Sequence, residues 1–274
     1  MPSFFVRALK LNRFQPNRIV TSHLVSPMTL AIVRGIEFLY TFVTSIIVWA
    51  TTKAAVDYFQ YFTHLSYFGL MAYLFASTVW STLYLRRPES ERAKWLRSGS
   101  PWWGYTHWLF YSTVVTYAVV IPIVFWSYLA WDRASWTRME YFRNISVHAL
   151  NGVFGAVVEL ILNRHFLLPV HSLFVAAVMI LYMLMTFLVF AGQGTWVYPF
   201  LDWSQGPIAA AYYFIVAAGL FVIYFILYFL HKYRNKWLAK RSIKVNGDLD
   251  KEYEGRDQDD EKEMEEGEGS ENAV

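Results

Sequence analysis

Apolar residues gather into six long runs along the chain: Met28–Ala50, Leu65–Leu85, His107–Trp131, Val147–Ile161, Val170–Ala191 and Ile208–His231. A helix needs about 20 mostly apolar residues to cross a bilayer. The runs lack the alternation of a membrane barrel, and irregular backbone is not tolerated against lipid, so the pattern predicts six transmembrane helices. The fourth run is the shortest and most polar, with its start set at about Ser146.

Composition agrees: 56% of residues are hydrophobic and only 16% charged, against roughly 25% charged in soluble domains. The expected fold is an all-α integral membrane bundle. Residues 1–27 form a basic arm, 28–231 the membrane domain, 232–247 a basic flank and 248–274 an acidic tail. "MPSFFVRALKLNRFQPNRIV" has neither an uninterrupted apolar core nor a small-residue cleavage site, so it does not read as a signal peptide. With no cysteine in the chain, thiol nucleophiles, disulfides and cysteine-ligated metals are excluded.

Charge sets the expected orientation. Arg7, Lys10, Arg13 and Arg18 lie in the arm, five basic residues in "RRPESERAKWLRSGS", Arg164 in the fourth loop and six in "KYRNKWLAKRSIK". The opposite loops hold Lys53, Arg133, Arg138 and Arg143, and residues 192–206 hold none. Both termini are therefore expected to be cytoplasmic. The last 29 residues carry thirteen acidic against three basic side chains, leaving +13 on the rest of a chain whose total is +3. Such a tail is expected to be disordered. It either solvates the chain end or shields the basic flank and meets a cytoplasmic partner. Nothing resembles a nucleic-acid module.

The fourth run carries the candidate chemistry. In "NISVHALNGVFGAVVELILN", at about 100° per residue, His148, Asn151, Glu159 and Asn163 fall within an arc of about 120°. Gly155 sits mid-stripe and is expected to open space there. Ionisable groups at membrane depth face the bundle or a wet cavity. Either the stripe hydrogen-bonds across helices and fixes packing, or it lines a substrate cavity with His148 as acid and base. Glu159 lies about 16 Å along the axis from His148, at 1.5 Å per residue. It is thus expected to be neutral, or paired with a basic or hydroxyl group elsewhere. Thr63, His64 and Ser66 open the second helix on the same side, and the loop "GQGTWVYPFLDW" covers it. Whether Thr63 approaches His148 is open, because helix order is not readable.

Three segments in this order, "QYFTHLSYFG", "NISVHALNGVFGAVVEL" and "GTWVYPFLDW", resemble the androgen-induced, FAR-type family of multi-pass membrane proteins. That family includes hydrolases of fatty acid esters of hydroxy fatty acids and is distantly similar to the rolling-stone group. The resemblance runs from about Phe59 to Trp237, is nearest to fungal-looking members, and has WVYPFL as its distinctive element. It implies Thr63 as nucleophile and His148 as the second catalytic residue. Two departures, His64 after the threonine and a different spacing to the acid, keep the animal enzymes' substrate preference from being carried over.

A threonine hydroxyl needs a neighbouring base, and a histidine is suited to that work. Asn151 is the expected oxyanion donor, Glu159 and His64 further cavity support, and Trp196, Tyr198 and Pro199 the lid or interface. There is no G-x-S-x-G elbow, so no α/β-hydrolase is expected. No HExxH pair specifies a metal, and no cofactor is expected. His107, His165 and His171 read as interfacial, and Arg34 and Glu37, three apart, as an ion pair on one face. The tryptophans of "PWWGYTHW" and "TWVYPFLDW" fit interfacial belts. The Asn144-Ile-Ser146 sequon lies too near the bilayer to be used. Three function classes follow: a lipid-ester hydrolase acting on membrane lipids, a non-catalytic scaffold or signalling protein, and a transporter. No inverted repeat supports the last. An endoplasmic reticulum, other endomembrane or plasma membrane location fits all three.

Overall fold

The computed structural model describes residues 4–52, 57–130 and 132–246. The acidic tail expected at 248–274, Lys53 and the Trp131 end of the third run lie outside the described residues. Six helices are long and apolar enough to cross a membrane: α1 (Pro27–Thr51), α2 (Phe62–Leu85), α3 (Pro101–Leu129), α4 (Arg138–Leu162), α5 (His171–Gln193) and α6, which continues to Asn246. The chain is a multi-pass membrane protein by length and composition of its helices.

Local chemistry explains where these helices begin. Ser26 accepts a hydrogen bond from the Thr29 amide at 3.2 Å, and Pro27 opens α1 where no donor is needed. The fourth helix starts eight residues before the expected Ser146. Thr137 and Glu140 form a reciprocal cap there, with the Thr137 amide donating to Glu140 at 2.7 Å. It is also not a uniform α-helix. Ile145–Leu150 and Val153–Val158 are π-helical, as is Phe125–Leu129 just beyond Pro122 in α3. Such wider turns gather at functional sites.

Sorting is by polarity, inverted from a water-soluble protein. On α1, Ile32, Ile36, Leu39 and Val43 are exposed, whereas Arg34, Glu37, Thr41 and Thr44 are buried. Lipid solvates the first set, and the second must find partners inside. The same division holds on α4, where Val153, Val157 and Ile161 face outward and Asn151, Gly155, Glu159 and Asn163 inward. Helix α3 is the hub, touching α2, α4, α5 and α6, with Tyr111, Val115 and Ala118 wholly enclosed. Gly155 does not open space as expected. A methyl added there would lie 2.8 Å from the Ala118 Cβ, so this glycine lets α4 press against α3.

Residues 4–26 are folded against one end of the bundle, and Leu11, Ile19 and Val20 are fully buried. Arg34 Nη1 donates to the Ile19 carbonyl at 2.6 Å, and Arg164 Nη1 to Thr21 Oγ1 at 3.0 Å. His171 Nε2 meets the Leu9 carbonyl at 3.0 Å, and His23 Nε2 meets Asn235 Oδ1 at 2.9 Å. The ring of Phe14 occupies the space that any side chain at Gly104 would need. The basic flank is a direct continuation of α6. Its Arg234 donates to the carbonyls of Leu160 and His165, at 2.6 and 2.5 Å, and so covers the end of α4. Residues 4–26 and the Arg234–Asn235 region of α6 thus meet at one end of the bundle.

Candidate functional site

At the opposite end, a cavity of about 480 Å³ is lined by residues from α1, α2, α3 and α4 and from the loop after α5. Thr63, His64 and His148 all border it, with Tyr198 and Pro199. Thr63 and His148, far apart in the chain, therefore face a common space. Both histidines of the cavity are positioned by aromatic neighbours. The His148 ring stacks on Phe125, 3.3 Å between centroids and 8° from parallel, at the π-helical turn of α3. His64 stacks on Tyr58 at 4.3 Å, and its Nδ1 donates to the Tyr58 carbonyl at 2.9 Å. That bond leaves the other ring nitrogen of His64 as an acceptor when the ring is neutral. The Nδ1 of His148 is buried with no hydrogen-bond partner among the described residues.

Tyr198 is the loop's main contribution. Its hydroxyl accepts from the Phe62 amide at 3.0 Å and lies beside Thr63. Burial pushes its phenol above the ordinary value, opposed by the neighbouring hydroxyls of Thr63 and Tyr182 and the backbone at Phe62 and Thr63. Tyr182 donates to the Gln60 carbonyl at 3.0 Å, which pins the start of α2 to α5. Trp196 does not line the cavity; it stacks on Phe190 of α5 at 4.2 Å. Of the expected lid, Tyr198 and Pro199 border the cavity and Trp196 buttresses α5.

A second, narrow space of about 70 Å³ adjoins the first and is almost wholly apolar. Thr63, Phe125, Leu129 and Tyr198 border both. The Thr63 residue therefore stands between a polar cavity and an apolar slot.

The lower half of the α4 stripe does something else. Arg34 Nε donates to Glu159 Oε1 at 2.9 Å and Arg34 Nη2 to Glu159 Oε2 at 3.0 Å, both side chains being about 1% exposed. Tyr73 donates to Glu159 Oε2 at 2.8 Å, and Asn163 Nδ2 donates to it at 2.6 Å and to Tyr73 at 2.9 Å. Two expectations change here. Arg34 pairs with Glu159 across the bundle, because Glu159 offers both oxygens in line with the guanidinium fork. Its expected partner Glu37 keeps a buried oxygen with no partner among the described residues. Nor do Asn151 and Glu159 line the cavity. Glu159 is fully engaged at the arm end of α4, and both amide atoms of Asn151 are buried without a partner among the described residues.

The histidines expected at the interface, His107, His165 and His171, are buried within the protein. His107 Nε2 lies 2.9 Å from Ser77 Oγ, and its ring is 5.5 Å from that of His165. Burial holds the His165 imidazole well below its usual pKa, and the nearby His107, Arg34, Arg18 and Arg234 act in the same direction. A sequence signal for the ion pair did exist: Arg34 and Glu159 are opposite charges at matching depth, near the same end of antiparallel helices. No family model, curated protein or solved structure matches the chain.

Proposed function

We propose that this protein is an intramembrane lipid-ester hydrolase with Thr63 as nucleophile and His148 as general base, of the kind its resemblance to the androgen-induced family implies. The observation that carries the reading is the common cavity bordered by Thr63 and His148, with an apolar slot on the other side of Thr63. A hydrolase for lipid esters needs both: a wet side for water and the proton carrier, and a dry side for an alkyl chain.

In the reaction, Thr63 Oγ1 attacks the ester carbonyl carbon while His148 takes its proton. The tetrahedral intermediate collapses, the carbon–oxygen bond to the alcohol breaks, and His148 returns the proton to the departing alkoxide. Water from the polar cavity then loses a proton to His148 and attacks the Thr63 ester. The acid leaves as the proton returns to Thr63 Oγ1. The Tyr198 hydroxyl, already against Thr63, is a better candidate than Asn151 to donate to the oxyanion. With both termini cytoplasmic, as the basic loops favour, this chemistry lies at the non-cytoplasmic side of an endomembrane or plasma membrane.

The test is labelling of purified protein by a fluorophosphonate probe, with melting temperature as the folding control. Wild type is expected to label, and Thr63→Ala and His148→Ala to lose labelling at unchanged melting temperature. Labelling that persists in Thr63→Ala would overturn the assignment. A well-folded wild type that does not label would favour the non-catalytic scaffold.

A further inference from the structure

Two histidines border the polar cavity, and neither borders the apolar slot. The proposed reaction uses only His148, yet His64 is the more firmly held of the two. Its Nδ1 donates to the Tyr58 carbonyl at 2.9 Å, and its ring lies 8° from parallel on that of Tyr58. The Tyr61 ring closes on it edge-on at 5.6 Å. Tyr58 is itself 2% exposed and part of the main apolar core, so this platform is anchored. On the other flank, the Phe62 amide donates to the Tyr182 and Tyr198 hydroxyls at 3.1 and 3.0 Å, which fixes the turn carrying Thr63 and His64. The single bond that His64 makes through Nδ1 leaves Nε2 to the cavity, as an acceptor when the ring is neutral.

Successive residues of a helix do not face one another, so His64 stands beside the Thr63 hydroxyl and is badly placed to take its proton. It is well placed to hold a third molecule against Thr63. Hydrolysis of a Thr63 ester needs such a molecule, a water, and the cavity of about 480 Å³ has room for it. A water bonded to His148 alone can rotate about that one hydrogen bond. A second fixed acceptor aims its lone pair, and alignment of reacting atoms is worth a large share of an enzymatic barrier.

We infer that His64 is the water-positioning residue for hydrolysis of the Thr63 ester. The inference rests on the hydrolase reading and extends it to a residue outside the proposed pair. One hydrogen of the water donates to His64 Nε2 and stays on its oxygen, which becomes the hydroxyl of the released acid. The other passes as a proton to His148 while that oxygen bonds to the ester carbon. The carbon's bond to Thr63 Oγ1 then breaks, and His148 returns the proton to Oγ1. His64 keeps its own protonation state throughout.

Pre-steady-state hydrolysis of p-nitrophenyl decanoate by the full-length protein in detergent tests this, with intact mass reporting acyl-protein. The good leaving group makes acylation fast, so slow hydrolysis of the acyl-protein shows as a burst. His64→Phe keeps a ring for the Tyr58 stack and has no acceptor. It should release one p-nitrophenolate per chain and then turn over about tenfold to a hundredfold slower than wild type, the scale of a misplaced reacting group. The acyl group should accumulate on Thr63, and hydroxylamine, a stronger nucleophile than water, should restore turnover. His64→Gln, which offers an amide oxygen, should recover part of the loss. Fluorophosphonate labelling, which stops at the covalent step, should match wild type. Wild-type turnover in His64→Phe would overturn the inference, as would slow turnover without accumulated acyl-Thr63. In either case, labelling and p-nitrophenolate release that still require Thr63 would leave the hydrolase reading standing. A wild type that neither labels nor releases p-nitrophenolate through Thr63 would overturn both.

Discussion

Replacing Glu159 by Leu should cost this protein far more than its single position suggests. The carboxylate accepts both forks of Arg34, the Tyr73 hydroxyl and the Asn163 amide. Removing one partner of a buried ion pair leaves an uncompensated charge, which costs about 3–5 kcal/mol. Arg34 would keep only the Ile19 carbonyl and a long contact of 3.5 Å to Tyr73. A change of 1 kcal/mol moves the melting temperature by roughly 2–4 °C for a chain of this size. The expected loss for Glu159→Leu is therefore about 6–20 °C, with Arg34→Met similar. The double variant Arg34→Met with Glu159→Leu removes both charges and should recover much of that loss. Recovery stays incomplete because the Ile19 carbonyl, Tyr73 and Asn163 lose partners. Thermal unfolding in detergent, read as a double-mutant cycle, measures the coupling. Single variants that each lose under about 1 kcal/mol, or effects that add to within about 0.5 kcal/mol, would refute a strongly coupled pair.

Three further outcomes follow from the helix packing and the docked arm. Gly155→Val pushes α4 away from Ala118, an overpacking cost of about 1–3 kcal/mol, and should lower the melting temperature; an unchanged value would mean the helices have slack there. The docked arm should loosen as pH falls, because burial, reinforced by Arg164, Arg234 and Arg18 and opposed by the Asn235 hydrogen bond, holds His23 down to about 4. The undocked imidazole has the ordinary value near 6.5, so it binds more protons than the docked one across this window. Stability from docking is thus complete above about 6.5 and is lost as pH falls toward about 4. At about 1.4 kcal/mol per unit, the effect is at most about 3 kcal/mol. Hydrogen exchange at Ile19–Ser22 should show protection falling from pH 7.5 to 5 in wild type and a flatter response in His23→Gln. Gly104→Leu, which evicts Phe14, should expose the same amides at every pH; full protection in that variant would refute the arm's dependence on this contact.

The helices were legible because membrane burial leaves a coarse signal: long apolar runs, broken by charge, with few ways to satisfy the backbone. Where the ends were misjudged, local capping outweighed hydropathy, as with Thr137 and Glu140, whose T-x-x-E spacing was present in the sequence. The inward stripe on α4 was legible too, since its four-residue spacing survives two π-helical turns. Partner choice was not. Arg34 had Glu37 one turn away, and only the arrangement of α1 against α4 brings the better acceptor within reach. The arm reads only as basic, because its buried residues, Val6, Leu11, Ile19 and Val20, are too scattered to form a run. His148 is legible from the polar stripe of α4, whereas the nucleophile's role for Thr63 comes from resemblance.

The α4 stripe also explains how one helix serves two ends differently. At the arm end, Glu159, Asn163, Tyr73 and Arg34 bond one another in a compact network, the condition in which a buried polar network rigidifies a fold. Toward the cavity end, Tyr40 meets Ser146 at 3.0 Å and Thr44 meets Tyr67 at 2.6 Å, which tie α1 to α4 and α2. At the cavity end, His148 and Asn151 carry polar atoms with no partner among the described residues, beside π-helical turns. Native structures leave few such atoms, and those left call for a functional or solvent-filled explanation. Conservative substitutions should therefore separate by position. Glu159→Gln should lower the melting temperature while whatever folds still labels with the fluorophosphonate probe, and His148→Gln should do the reverse. If Glu159→Gln abolished labelling at an unchanged melting temperature, the stripe would be a single functional unit and this division would be wrong.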